Sequence, residues 1–171
     1  MSRRGLLVQS EEVAASLSDP STDVLEVGWS GWTHRWGAQE GLVPGSLILD
    51  TDRLDSGYPA WRLREIPALQ AAFGSAGVDS DHRIVVSSSR SIAAARVVWL
   101  LLYAGARRVQ MLEGGAAAWK RAGFDCDIKQ TVSTPASFDA PPDLEIAAAD
   151  AWLLARLDDP TVRIADTRSW D

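Results

Sequence analysis

Four short apolar runs, at residues 24–27, 47–49, 84–86 and 109–112, constrain the fold of this 171-residue chain more than any other feature. Runs this short and this continuous suit strands buried on both faces. Such strands lie parallel, because parallel neighbours need crossover connections that cover the sheet. The intervening chain supplies those crossovers. Ile66, Leu69, Ala72, Phe73 and Ala76 recur at helical spacing with Gly77 as a stop. Residues 91–104 are apolar nearly all round, and residues 115–121 form a short helix closed at Gly123. The predicted class is α/β, three layers with a mainly parallel central sheet and helices on both faces.

Near the N-terminus, Ser10, Glu11, Glu12, Val13 and Leu17 read as an N-capped amphipathic helix ended by Ser18-Asp19-Pro20. The segment "GWSGWTHRWGAQEGLVPGS" has no clear period. It reads as a long ordered loop whose three tryptophans pack over the end of the sheet.

The apolar share of 46% is enough for a core, and 17 basic against 23 acidic residues leave a net charge of −6. That balance argues against general affinity for nucleic acid or an anionic membrane surface. Cys126 is the single cysteine, so no intrachain disulfide forms and nothing points to an oxidising compartment. The opening "MSRRGLLVQSEEVAASL" is too poor in apolar residues for a secretory core, and no apolar run reaches the ~18 residues of a membrane span. The expectation is a soluble cytoplasmic protein. Cys126, His34 and His82 lack any metal-ligand spacing, so neither a metal nor a cofactor is predicted.

Between residues 127 and 143 the composition shifts to "DIKQTVSTPASFDAPPD", with three prolines, which reads as a linker. The C-terminal segment after it repeats the N-terminal one. At a constant offset of 140 and without a gap, residues 6–28 meet residues 146–168. Ser10 falls on Asp150, Val13 on Leu153, Leu17-Ser18-Asp19-Pro20 on Leu157-Asp158-Asp159-Pro160, Val24 on Ile164 and Glu26 on Asp166. Cap, apolar face, Asp-Pro turn and strand acid recur in phase, which points to a tandem repeat. The expected organisation is a domain over residues 1–129, a Pro-containing linker over 130–145, and the start of a second copy over 146–171. A parallel strand at 164–166 without neighbours cannot form the buried sheet its pattern implies.

The third apolar run passes directly into "SSSRS" and then a helix. A turn there faces the unpaired N–H groups of the helix start, so it suits either a nucleophile or anion, or a serine that caps the helix itself. Ser88, Ser89, Arg90 and Ser91 are the candidate anion-binding residues. Arg90 either binds an anion or pairs with a nearby acid, and the pairing is preferred.

These blocks together resemble the rhodanese family of sulfurtransferases. "DVLEVGW" stands where the family has a strand ending in Asp-Val-Arg. "GLVPGSLILDTD" matches its Gly-His-Ile-Pro-Gly-Ala signature, and "IVVSSSRSIAAARVVWLLLYAGARRVQMLEGGAAAWKRAGF" matches its strand, active-site loop, helix, strand and Asp-Gly-Gly-x-x-Ala-Trp block. The resemblance spans about residues 6–128 and is greatest to the N-terminal half of tandem thiosulfate or 3-mercaptopyruvate sulfurtransferases. It implies a rhodanese-like fold, and a partner in the form of a catalytic rhodanese domain in cis or in trans. In the family reaction a cysteine thiolate in the turn takes a sulfane sulfur, becomes a persulfide and passes the sulfur on; turn N–H groups and a helix N-terminus lower its pKa.

By that resemblance the cysteine position is Ser88, a degenerate nucleophile, so no catalytic residue is assigned. The arginine of Asp-Val-Arg is Gly28 and the signature histidine is Leu42. Cys126 lies between Asp125 and Asp127, whose charges raise a thiol pKa, and is not assigned a catalytic role. A Ser88/His/Asp triad using Asp50 or Asp52 lacks a Gly-x-Ser-x-Gly elbow. The related phosphatases need Cys-x5-Arg, which this chain does not contain. The expected function is a rhodanese-like domain inactive alone. The alternatives are the structural or regulatory half of an active tandem sulfurtransferase whose catalytic domain lies beyond Asp171, and a module binding a small anion, such as a sulfur-containing one, or a protein.

Overall fold

The computed structural model describes residues 3–28, 41–57, 62–128 and 132–165. In chain order the elements are α1 (Arg3–Leu6), β1 (Leu7–Val8), α2 (Ser10–Ala14), β2 (Thr22–Gly28), β3 (Leu47–Asp50), α3 (Ile66–Ser75), β4 (Arg83–Ser87), α4 (Ser91–Tyr103), β5 (Val109–Leu112), α5 (Gly115–Arg121) and α6 (Asp150–Leu154). Short 3-10 turns lie at Thr51–Arg53 and Leu144–Ile146.

The five strands form one sheet in the order β1-β5-β4-β2-β3, and every pairing is parallel. Side chains alternate across a strand, so each sheet face collects its own core. Leu25, Val27, Leu49, Ile84 and Val86 meet Leu69, Ala72 and Phe73 of α3 and Ala94, Val97 and Leu101 of α4 on one face. Val24 and Val85 meet Val8, Val13, Leu112 and Trp119 on the other, under α2 and α5. The predicted three layers are therefore present, and the four apolar runs are four of the strands.

The sequence reading missed β1, and with it the helix entry. Only two residues of β1 pair with β5 (Leu7 with Met111, Val8 with Leu112), too few to give a pattern. Because that strand ends at Val8, Gln9 occupies the cap position, without a side-chain capping bond, and Ser10 is already the first helical residue. The loop tryptophans Trp29, Trp32 and Trp36 lie outside the described residues.

Residues 132–146 run along the domain as a strap. Ala136 N–H donates to the Gly74 carbonyl (2.9 Å), and Ser80 N–H to the Ser137 carbonyl (3.1 Å). Phe138 is buried against Phe73, ring centroids 5.1 Å apart. Gln70 Nε2 donates to the carbonyls of Ala104 and Ala140, and Asp143 N–H to that of Tyr103. The strap crosses so closely over Gly105 that a Cβ there would lie 2.7 Å from the Ala140 and Pro141 carbonyl oxygens.

Candidate active-site loop

β4 delivers the chain from the sheet interior to the turn formed by Ser88, Ser89 and Arg90, and α4 leaves it at Ser91. Ser88 is buried, whereas Ser89, Arg90, Ser91 and Ile92 are exposed. The Ser88 hydroxyl donates to the Val27 carbonyl at the end of β2 (2.9 Å) and accepts the Arg90 N–H (3.1 Å). A serine oxygen taking the N–H two residues on is a local side-chain turn, and it occupies an amide that would otherwise face the centre of the loop. Arg90 itself sits at the helix cap position with extended backbone and makes no side-chain capping bond.

The loop is supported from below by Glu113-Gly114-Gly115. Gly114 and Gly115 have φ of 74° and 58°, a region that favours glycine. A Cβ on Gly115 would lie 2.3 Å from the Ser88 carbonyl oxygen. Gly115 is thus what lets the backbone of α5 approach the turn, while a Cβ on Gly114 would meet Ala118.

The described candidates from the sequence are engaged elsewhere. Asp50 accepts the Asp52 N–H (2.9 Å) and so caps the 3-10 turn. His82 Nδ1 lies 3.1 Å from Asp23 Oδ1, beside the opposite end of β4; His34 lies outside the described residues. Among the described residues no histidine or carboxylate hydrogen-bonds Ser88, so its proton is held by a carbonyl rather than drawn off by a base. Leu42 is a buried core residue, and its backbone exchanges hydrogen bonds with Asp127 (2.8 and 2.9 Å). Cys126 is half-buried next to that bridge. Burial pushes its thiol pKa up; Lys120 opposes the shift, and Asp125 and Asp127 add to it. No three His, Cys, Asp or Glu side chains converge on a metal-sized site among the described residues.

The sequence reading overlooked one buried charge pair near the start of α4. Asp55 is 1% exposed and takes Arg96 Nη2 at 2.7 Å and the Gly57 N–H at 2.8 Å. The signals were an Asp-Ser-Gly turn and a lone arginine in an otherwise apolar helix. Glu26 is also buried, in register with Ser87 on β4.

The Rhodanese-like domain family model matches residues 11–122. The chain belongs to the rhodanese-like domain family. It is 30% identical to the probable 3-mercaptopyruvate sulfurtransferase of Pseudomonas aeruginosa, over 95% of this chain and 61% of that protein. It is also 30% identical to the thiosulfate sulfurtransferase YnjE of Escherichia coli, over 82% of this chain and 30% of that protein. The crystal structure of SseA from Escherichia coli, described as a 3-mercaptopyruvate sulfotransferase, superposes with a TM-score of 0.79 at 23% identity, over 95% of this chain and 65% of that one. The chain is therefore a rhodanese-like domain related to thiosulfate and 3-mercaptopyruvate sulfurtransferases, and it spans less than two thirds of each of these relatives. Among the described residues no helix is long and apolar enough to cross a membrane.

Proposed function

We propose that residues 1–129 are the non-catalytic rhodanese-like domain of a thiosulfate or 3-mercaptopyruvate sulfurtransferase-type protein working in the cytoplasm. Residues 130–145 join it to a second rhodanese-like repeat that begins at 146. In this reading Ser88 holds the position of the persulfide-carrying cysteine, and the domain supplies a packing surface for a catalytic rhodanese domain in cis or in trans. The observation that carries it is the Ser88 hydroxyl, buried and committed to the Val27 carbonyl and the Arg90 N–H. A hydroxyl so held is tied into the turn that precedes the helix, and a serine oxygen cannot store a sulfane sulfur as a thiolate does.

The test is a sulfurtransferase assay of this chain with thiosulfate and cyanide, and with 3-mercaptopyruvate. The expected rate equals background. Thiocyanate production above background that survives Cys126→Ser would overturn the proposal, because no other thiol is present.

A second reading rests on the exposed rim of Ser89, Arg90 and Ser91, which places a cation at a helix start. Here the domain has kept the shell and binds a small sulfur-containing anion. Titration with thiosulfate should then weaken on Arg90→Ala; equal binding by the two proteins sinks this version.

A further inference from the structure

The end of the sheet opposite the Ser88 turn gathers positive charge. Arg83 opens β4, and Arg107 and Arg108 precede β5. With parallel strands all three sit at the N-terminal edge, roughly 13 Å from Ser87 at ~3.3 Å per residue of strand. A hollow of about 280 Å³ is lined by Gly5, Arg83, Arg107, Arg108, Val109 and Gln110. Among the described residues its wall holds three arginines and no carboxylate. An adjoining hollow of about 230 Å³ shares Arg107 and Arg108 but includes Asp81.

The first hollow is organised around Arg83, which is half-buried and held only by neutral groups. Its Nε donates to Gln110 Oε1 (2.9 Å) and its Nη1 to Ser16 Oγ (2.9 Å), while Gln110 Nε2 reaches the Gly5 carbonyl (3.4 Å). The ion pairs among the described residues are His82–Asp23 and Arg96–Asp55, so none of these three arginines is in one. Arg108 acts on Asp19 only at longer range. Three like charges around one concavity repel each other, and a bound anion relieves that repulsion while the planar guanidinium forks match its oxygens. Arg83, already fixed, loses little freedom on binding.

We propose that this hollow binds a small oxyanion carrying at least two negative charges, of the phosphate or the sulfur-oxyanion type, at a site separate from the Ser88 turn. The inference does not depend on whether the domain is catalytic.

Calorimetric titration of the 171-residue chain with sodium pyrophosphate and with thiosulfate, against sodium chloride of matched ionic strength, tests it. At least one of the two should saturate a single site with a Kd below about 1 mM, and the tighter names the source chemistry. Arg107→Gln with Arg108→Gln, both exposed and so tolerated by the fold, should weaken binding about tenfold or more, and Arg83→Lys, which keeps the charge but loses the fork, severalfold. In an Arg90→Ala background the loss caused by Arg107→Gln with Arg108→Gln should persist. Responses no greater than those to chloride, undiminished binding by the double variant, or disappearance of the double variant's effect in the Arg90→Ala background would each overturn the proposal.

Discussion

Residues 10–28 and residues 150–165 make the same local structure in different surroundings. Each opens with a five-residue helix, α2 and α6, capped by an extended residue, Gln9 and Ala149. Five backbone hydrogen bonds recur at an offset of 140, from Val13 N to the Gln9 carbonyl and Leu153 N to that of Ala149, through to Thr22 N on Asp19 and Val162 N on Asp159. Asp19 Oδ1 takes the N–H and hydroxyl of Ser21 at 2.9 and 2.7 Å, and Asp159 Oδ1 takes those of Thr161 at 2.8 and 2.7 Å. Beyond the turn the two regions part. Residues 22–28 are a strand between β3 and β4, whereas residues 162–165 join no strand among the described residues. Val13 is fully buried among Val24, Val85, Leu112 and Trp119, while Leu154, Leu157 and Ile164 are exposed. Turn and cap geometry is therefore written in a few adjacent residues, and strand and core require the rest of a sheet. The outer faces differ too. Ser16 accepts Arg83, but its counterpart Arg156 lies 4.4 Å over the Trp152 ring, so the seat for an arginine is not reproduced.

The contrast is broken most directly by putting a charge at matched positions. Val13→Asp places a carboxylate in a dry core and should cost about 4 kcal/mol or more in urea denaturation. Leu153→Asp, half-buried but with no sheet beneath it, should cost under about 1 kcal/mol. Equal losses would mean that the second region is docked as firmly as the first. A smaller pair of changes locates the boundary between firm and loose chain. Phe138→Ala removes a ring packed on Phe73 and should cost about 3 kcal/mol, while Trp152→Ala should cost under about 1 kcal/mol. A negligible effect at Phe138 would show that the strap is not part of the domain's core.

How much of this was legible in the sequence obeys the same division. The strands at 84–86 and 109–112 and the helices at 66–76 and 91–104 were readable because each carries its own apolar pattern over enough residues. β1 was not, since its two residues are a strand only by virtue of β5. The strand-to-helix turn at Ser88 was recognisable, yet the state of its hydroxyl was not. Whether that hydroxyl is tied down or faces an open loop depends on the Val27 carbonyl, 61 residues away in sequence. The need for a glycine at 115 likewise comes from the Ser88 backbone above it, 27 residues away in sequence, whereas at 114 it comes from a positive φ and from Ala118. The arginine hollow escaped notice because Arg83 and Arg107-Arg108 are brought together only when β4 and β5 pair.

The finest comparison concerns the two turn aspartates. Hydrogen bonds from Ser21 hold the Asp19 carboxyl below its usual range, and those from Thr161 do the same for Asp159. Asp19 alone is also lowered by the positive charges of Arg108 and His82. Carboxyl-carbon NMR through an acid titration should therefore find both low, with only Asp19 rising when salt is added, since salt screens charges and leaves hydrogen bonds in place. A folded pKa below the unfolded one stabilises the fold above the unfolded value, and that contribution is lost as pH falls through the folded value. For Asp19 the loss should appear in global unfolding, because its turn leads into β2. For Asp159 it should appear only locally, in the Thr161 amide, and Thr161→Ala should leave the urea midpoint unchanged where Ser21→Ala lowers it slightly. If Thr161→Ala shifts the midpoint as far as Ser21→Ala, the second turn is coupled to a folded core after all, and the distinction between the two segments is one of exposure rather than of cooperativity.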